Sequence, residues 1–372
     1  MNANAGWRRS TCLLMLIVFF GMLKTSLGQD LTAENMRRLA RQAFDEGRYS
    51  DAERGLRLAL ELFVKDASVF EAAQTLGDLS GVFAARARYS EAEQLLSRAV
   101  SMIETMPHGL QAHASETSRL LDNLAAVYQL TGRFQLAEST FNRALRLLEE
   151  YKPSDPHMVV VLSNLGTLYV QIRKYKEATK YLMKALDLAE KRLAVDHPDF
   201  LPVLTNLAAL YERQKEWARA ESHLIRAAAI AEHSLRPDHP ESVGIFHHLG
   251  VVHYRQGKLQ EAQMELRRAL DIQQTAFAAE SVRSVSTSLT LAKVLTAQRR
   301  YEEAWILYSD VLPVQERLLG PKTPEVATTL EDFAKLLHTM KTHNSADELA
   351  ARARRIRAEL LYTRSVKDSQ QW

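Results

Sequence analysis

Three asparagines recur at nearly constant spacing. Asn123, Asn164 and Asn206 are separated by 41 and then 42 residues. A carboxamide donates and accepts hydrogen bonds together, so a row of them on one surface can pair with the backbone of an extended peptide. The competing reading is that each Asn satisfies neighbouring groups of its own fold. The next equivalent positions are His248, Thr290 and Asp332, so the row does not continue uniformly. A second set is basic. Arg213 and Arg255 are one interval apart, as are Lys293 and Lys335, and Gln171 precedes Arg213 in the same phase. Such a strip could pair with acidic peptide groups; ordinary solvated helix charge is the other reading. Glu212 and Glu331 dilute any field of a single sign, while Val170, Val251 and Tyr254 offer apolar anchors beside it.

Other side chains that could do chemistry fall short of a reaction centre. His239, His247, His248 and His253 lie close in sequence, but zinc needs three or four converging ligands. His247 and His248 are adjacent and diverge by ~100° on a helix, and His253 falls in the phase of an apolar core tyrosine, Tyr211. The chain has no phosphate-cradling Gly loop, no H-E-x-x-H and no G-x-S-x-G. Gly77-Asp78-Leu79-Ser80-Gly81 has the wrong spacing and lies in a helical pattern. The expectation is a non-catalytic protein with no metal and no cofactor.

The elements that position these residues are set by an internal repeat. Asn164-Leu165-Gly166-Thr167-Leu168-Tyr169 aligns with Asn206-Leu207-Ala208-Ala209-Leu210-Tyr211, and the same 42-residue offset reaches Leu249, Leu291 and Phe333. Ala178, Ala220, Ala262, Ala304 and Ala346 keep that spacing, as do Pro156, Pro198, Pro240 and Pro324 with one copy skipped. Earlier copies sit 41 and 45 residues upstream, and a degenerate one runs through Met36, Ala40, Ala43, Gly47, Tyr49 and Ala52, which makes about eight. Each unit reads as two helices. The first is expected from Pro198 to about Gln214 and the second from about Glu216 to Ser234, with apolar residues at helical spacing. Asp238-His239-Pro240-Glu241 supplies start signals. Gly132 and Gly257 fall just past the ends of first helices, where a left-handed residue is favoured. The recurring small residues let helices approach closely, and one pair cannot bury its apolar face without stacked neighbours. The fold expected is all-α, a tandem array over residues 29–363 with degenerate end copies, followed by a tail at 364–372.

These residues resemble the tetratricopeptide repeat, and most closely the longer repeat of kinesin light chain and its bacterial relatives. Asp196-His197-Pro198, Asn206-Leu207-Ala208, Tyr211, Glu216-Trp217 and Ala220 carry the likeness. The resemblance implies a right-handed α-solenoid of helix-turn-helix repeats whose first helices line a concave face where peptides bind. It implies that an Asn ladder on that face, here Asn123, Asn164 and Asn206, meets a ligand backbone. The candidate peptide-binding set is therefore Asn123, Asn164, Asn206, His248, Gln171, Arg213, Arg255 and Lys293.

The N-terminus reads as a secretory signal over residues 1–28. Arg8 and Arg9 form a positive region, Cys12 to Leu23 is apolar, and Ser26 and Gly28 suit a cut before Gln29. The apolar stretch is short for a span of ~20 residues; an uncleaved membrane anchor is the alternative, and with it the only membrane association expected. Export to the periplasm or the secretory route follows. Removing the leader takes Arg8, Arg9 and Lys24, leaving 45 basic and 45 acidic side chains. A balanced chain argues against nucleic-acid binding. The single cysteine, Cys12, lies in the leader, so no disulfide is expected after it. The composition, 46% hydrophobic and 25% charged, is that of an ordered chain. The function expected is an exported scaffold or adaptor that binds a peptide or protein partner on its concave face. The alternative is a structural assembly subunit, a homo-oligomer built through its outer surface or terminal repeats.

Overall fold

A computed structural model describes residues 32–236, 238–276 and 282–369. The expected leader lies outside the described residues. The chain forms two compact units divided between Leu168 and Tyr169. In the first unit, α1 (Ala33–Asp45) pairs with α2 (Tyr49–Lys65), and α3 (Val69–Ala85) with α4 (Tyr89–Glu104). A short α5 (Gly109–Ala112) then precedes the pair of α6 (Ala114–Leu130) and α7 (Phe134–Tyr151). The boundary falls in α8 (His157–Gln171). The second unit continues with α9 (Tyr175–Arg192), then α10 (Phe200–Gln214) with α11 (Trp217–Ser234) and α12 (Pro240–Arg255) with α13 (Leu259–Ala276). Two further pairs complete it: α14 (Val282–Ala297) with α15 (Tyr301–Leu319), and α16 (Pro324–Thr339) with α17 (His343–Ser369). No strand occurs among the described residues. The last helix runs beyond residue 363, where the array was expected to stop.

The short α5 explains the 45-residue spacing. Its extra turn lies between the second and third pairs and displaces the phase without disturbing either pair.

Each pair is closed by the same device. The residue joining first to second helix is left-handed in all eight copies, at Gly47, Ala87, Gly132, Arg173, Lys215, Gly257, Arg299 and Lys341, with φ from 57 to 78°. The next amide reaches back five residues to a helix carbonyl, as in Arg133 N to Tyr128 O at 2.8 Å and Glu216 N to Tyr211 O at 2.9 Å. That bond satisfies a carbonyl orphaned at the helix end and reverses the chain in a few residues. Glycine is the unstrained choice, as the sequence suggested at positions 132 and 257, yet half the copies use Arg or Lys there.

The helices fit because the recurring small residues are where two backbones meet. Ala52, Ala92, Ala137, Ala178, Ala220, Ala262, Ala304 and Ala346 are all fully buried. At Gly250 a Cβ would stand 2.5 Å from Leu266 Cγ, and at Gly55 it would stand 2.8 Å from Ala40 Cβ, so neither position has room for even a methyl group as packed. In the second unit, Leu291, Leu295, Tyr308 and Phe333 belong to one core, with the Tyr308 and Phe333 rings stacked at 5.3 Å. Within each unit, successive first helices also touch directly: α1 with α3, α3 with α6, α10 with α12, α12 with α14, α14 with α16. Successive second helices are linked by long side chains instead, as in Arg226 to Glu190 at 2.6 Å and Arg268 to Glu232 at 2.5 Å. First helices therefore line the inner side of each unit and second helices the outer side.

Candidate functional site

In the first unit the inner side carries a polar cavity of about 400 Å³, walled by α1, α3 and α6. Asn123 stands exposed on its wall with Arg119 from the same helix. Arg37 of α1 donates from Nε to Asp78 Oδ2 at 2.6 Å and from Nη1 to Gln74 Oε1 at 2.7 Å. Arg41 lies 4.0 Å from the same carboxylate and stays largely exposed. A neighbouring cavity of about 530 Å³ shares Arg37, Arg41 and Gln74 and adds Arg38 and Glu34. Sequence reasoning missed this group. Asp78 occupies the Asn123 position one copy earlier, 45 residues upstream, but it is a carboxylate, so a search for recurring carboxamides passed over it.

Asn164 is held within the fold. Its Nδ2 donates to both oxygens of Asp122, at 3.0 and 3.1 Å. The Asp122 carboxyl is buried, and burial pushes it up to about 6, against the lowering effect of the Asn164 donor. His157 Nε2 lies 3.9 Å from Asp122 Oδ2, buried and with no hydrogen-bond partner. Burial pushes that imidazole down to about 4, Arg119 adding to the effect and Asp155 opposing it. Asp155 accepts the His157 amide at 2.8 Å at the start of α8.

In the second unit the inner-side residues divide similarly. His248 Nδ1 meets Glu212 Oε1 at 2.8 Å. Lys293 Nζ lies 3.0 Å from Asp332, which also accepts from Lys335 at 3.0 Å. Burial alone would raise Asp332, but the two ammonium groups outweigh it and hold its carboxyl below the usual range. Asn206 and Gln171 are each engaged in an interaction of the fold. Thr290 donates to Ser286 O of its own helix at 2.9 Å. Arg213 and Arg255 are exposed, the latter with its guanidinium 6.0 Å from the Tyr254 ring centre.

A regularity emerges at the position first picked out by its asparagines. Asp78, Asn164, His248 and Asp332 occupy that position in the second, fourth, sixth and eighth copies. Each bonds a charged residue from the first helix of the copy before: Arg37, Asp122, Glu212 and Lys293. The row thus contains struts across repeat junctions as well as groups that face solvent. Asn123, Arg41, Arg119, Gln171, Arg213, Arg255 and Lys335 are among those that present exposed polar groups on the inner side.

The histidines go separate ways. His247 Nδ1 meets Thr287 Oγ1 at 3.1 Å, and His253 is buried with Nε2 at 3.2 Å from Glu221. His239 caps α12, its ring accepting the Glu241 amide at 3.3 Å. The His197 ring also accepts a backbone amide, that of Asp199 at 3.2 Å, ahead of α10, whose own N-cap is Asp199. Among the described residues no three His, Cys, Asp or Glu groups converge on a common point. Among them, too, no helix is long and apolar enough to cross a membrane.

A family model described as tetratricopeptide repeat matches residues 116–191, 199–275 and 284–359. No curated protein matches the chain. Several solved structures are similar. BtubC (BKLC) from P. vanneervenii is 20% identical, with 62% of this chain and 92% of that chain covered and a TM-score of 0.56. Aspartyl phosphate phosphatase F from Bacillus subtilis is 17% identical, with coverages of 81% and 74% and a TM-score of 0.57. A putative kinesin light chain with nearly identical TPR-like repeats from Podosopora anserina is 24% identical, with coverages of 56% and 98% and a TM-score of 0.49. At these identities the likeness is one of fold.

Proposed function

This chain belongs to the tetratricopeptide repeat family, and from that premise we propose that it is an exported, non-catalytic scaffold that holds a peptide or protein partner on the inner side of its helix pairs. The right-handed α-solenoid of this family is generally a protein-interaction fold. The observation that carries the reading is the polar cavity of about 400 Å³ between α1, α3 and α6, with Asn123 on its wall. It is concave, built on rigid helices rather than loops, and lined by donors and acceptors spaced along three successive first helices. Extended backbone can be met there by the Asn123 carboxamide and acidic side chains by Arg41 and Arg119. In the second unit Arg213 and Arg255 would do the same. Residues tied up in junction struts, such as Asn164 and Lys293, position this surface and contribute only their remaining lone pairs or N–H groups.

The test starts from a partner identified by capture on the immobilised chain. Calorimetry would compare that partner's affinity for the parent chain, for Asn123→Ala with Arg41→Ala, and for Arg213→Ala with Arg255→Ala. A loss of roughly tenfold or more, about 1.4 kcal/mol, is expected from at least one inner-side pair. Equal affinity for both pairs and the parent would place the partner elsewhere.

A further inference from the structure

The turn that closes the last helix pair carries two histidines. His338 lies in the last turn of α16, and His343 begins α17 on the other side of left-handed Lys341. The Thr342 amide reaches back to Leu337 O at 3.0 Å, the same closure as in the other copies. The first copy shows what this turn can hold. Phe44 and Tyr49 stand at the same two positions, before and after left-handed Gly47, with ring centres 5.6 Å apart. In the last copy both rings are imidazoles, again at 5.6 Å. The later position is Tyr, Phe, Trp or Leu in every other copy. The repeat therefore positions two rings by rigid elements, and only the last copy gives both of them nitrogen donors.

Ring packing alone does not bring donor atoms together, yet His338 Nδ1 and His343 Nδ1 face each other at 3.3 Å. Two imidazole lone pairs come that close only around something positive, a shared proton or a cation. A tetrahedral ion with metal–nitrogen bonds of 2.0–2.1 Å holds two of its nitrogens about 3.3–3.4 Å apart. Asp347 Oδ1 lies 3.5 Å from Nε2, on the far side of the His338 ring. A carboxylate there favours hydrogen on Nε2 and leaves Nδ1 as the lone-pair nitrogen, the way outer carboxylates orient metal-bound imidazoles. Both rings are exposed, so an ion can reach them and each can tilt onto it. The negative C-terminal end of α16 offsets the positive N-terminal end of α17. Exposed Lys341 is the one like charge within the turn, and Asp347 opposes it. Without metal, the proton on His343 Nδ1 bridges the pair. When a cation takes its place, that proton moves through solvent to the other nitrogen of the same ring, and both rings stay neutral. We propose that His338 and His343 form a binding site for an imidazole-preferring, late first-row divalent cation such as Zn²⁺, with Asp347 as its positioning residue. Among the described residues no third His, Cys, Asp or Glu joins them, so water fills the remaining positions. The site shares no residue with the inner-side cavity and does not depend on the scaffold reading.

Calorimetric titration of the tag-free full chain with Zn²⁺ tests it. The parent is expected to show one saturable event per chain, and none with Mg²⁺, which prefers oxygen ligands. His338→Ala and His343→Ala should each weaken Zn²⁺ binding by ~10-fold or more, and Asp347→Asn by about tenfold. The double variant His338→Phe with His343→Tyr writes the first copy's ring pair into the last. It should keep the parent's helix content and lose the Zn²⁺ event, which separates loss of the ligands from loss of the fold. His233→Ala removes an exposed imidazole that sits 3.0 Å from Asp196 elsewhere, and it should leave the affinity unchanged. A parent with no saturable Zn²⁺ event overturns the proposal. So does an event of equal size with Mg²⁺, one that follows His233 instead, or one that persists at the parent's affinity in the folded Phe–Tyr variant.

Discussion

Asp122 and His157 face each other across 3.9 Å between α6 and α8, and they titrate in opposite senses. Burial raises the Asp122 carboxyl to about 6 from its ordinary 3.8. As pH falls through that interval the folded chain takes a proton that the unfolded chain does not, and folding is favoured. Burial lowers the His157 imidazole to about 4 from 6.5. There the unfolded chain takes the proton first, and acidification disfavours folding. The windows overlap, so in the parent the two effects oppose and largely cancel. Removing either residue exposes the other. Relative to the parent, His157→Gln should gain stability between pH 6.5 and 4, and Asp122→Asn should lose it, each by about 2–3 kcal/mol. Urea midpoints at neutral and mildly acidic pH measure this, and two variants that both track the parent would show that the pair is not proton-linked. None of this was legible in the sequence. Asn164 was singled out for a ligand because its type and phase were visible, whereas the buried acid that claims its N–H group is identifiable only once α6 and α8 are side by side. The alternative weighed for the asparagines, satisfaction of neighbouring groups, describes Asn164; Asn123 remains exposed on the cavity wall.

Among the elements, the helices and their turns were the most readable part. Apolar spacing placed the first helix near Pro198–Gln214 and the second near Glu216–Ser234, within two residues of α10 and α11. What the pattern could not give was α5, a single turn too short to show a period. The left-handed turns were legible only where glycine marked them. At Gly132, φ is +76° and nothing lies within 4 Å of where a Cβ would stand, so the position is open space with a demanding backbone. Gly132→Ala should therefore cost about 1 kcal/mol, arising from conformation rather than from a clash. At Gly55 the same substitution meets Ala40 Cβ at 2.8 Å with a helical backbone, a separate origin for a loss of stability. Thermal unfolding of the two variants, with helix content unchanged in each, would register the first; a Gly132→Ala midpoint equal to the parent's would remove the turn from the list of conformational constraints.

For the whole molecule, a 42-residue offset held over most of the chain was enough to indicate both the all-α class and the family, because side chains returning in register must build stacked pairs. The partner was not legible, since a repeat written for mutual packing leaves ligand specificity to a few exposed positions such as Arg41 and Arg119. Those positions follow no period. The export reading rests on the N-terminal composition alone. It makes a definite expectation: protein recovered from the exported fraction of its host should begin at Gln29, as read by N-terminal sequencing. Material that begins at the initiator methionine and sediments with membranes would instead support the anchored alternative.

The identical closure of every copy has one more consequence. Each pair ends in its own turn and meets its neighbours through equivalent small residues, so no copy is architecturally indispensable to the others. Excising residues 206–247 in frame would splice the start of α10 to the end of α12 at the same helical phase, with Leu249 where Leu207 had been. Unequal recombination between such interchangeable blocks would lengthen or shorten the inner surface in whole steps, leaving the grammar of the remaining ones intact.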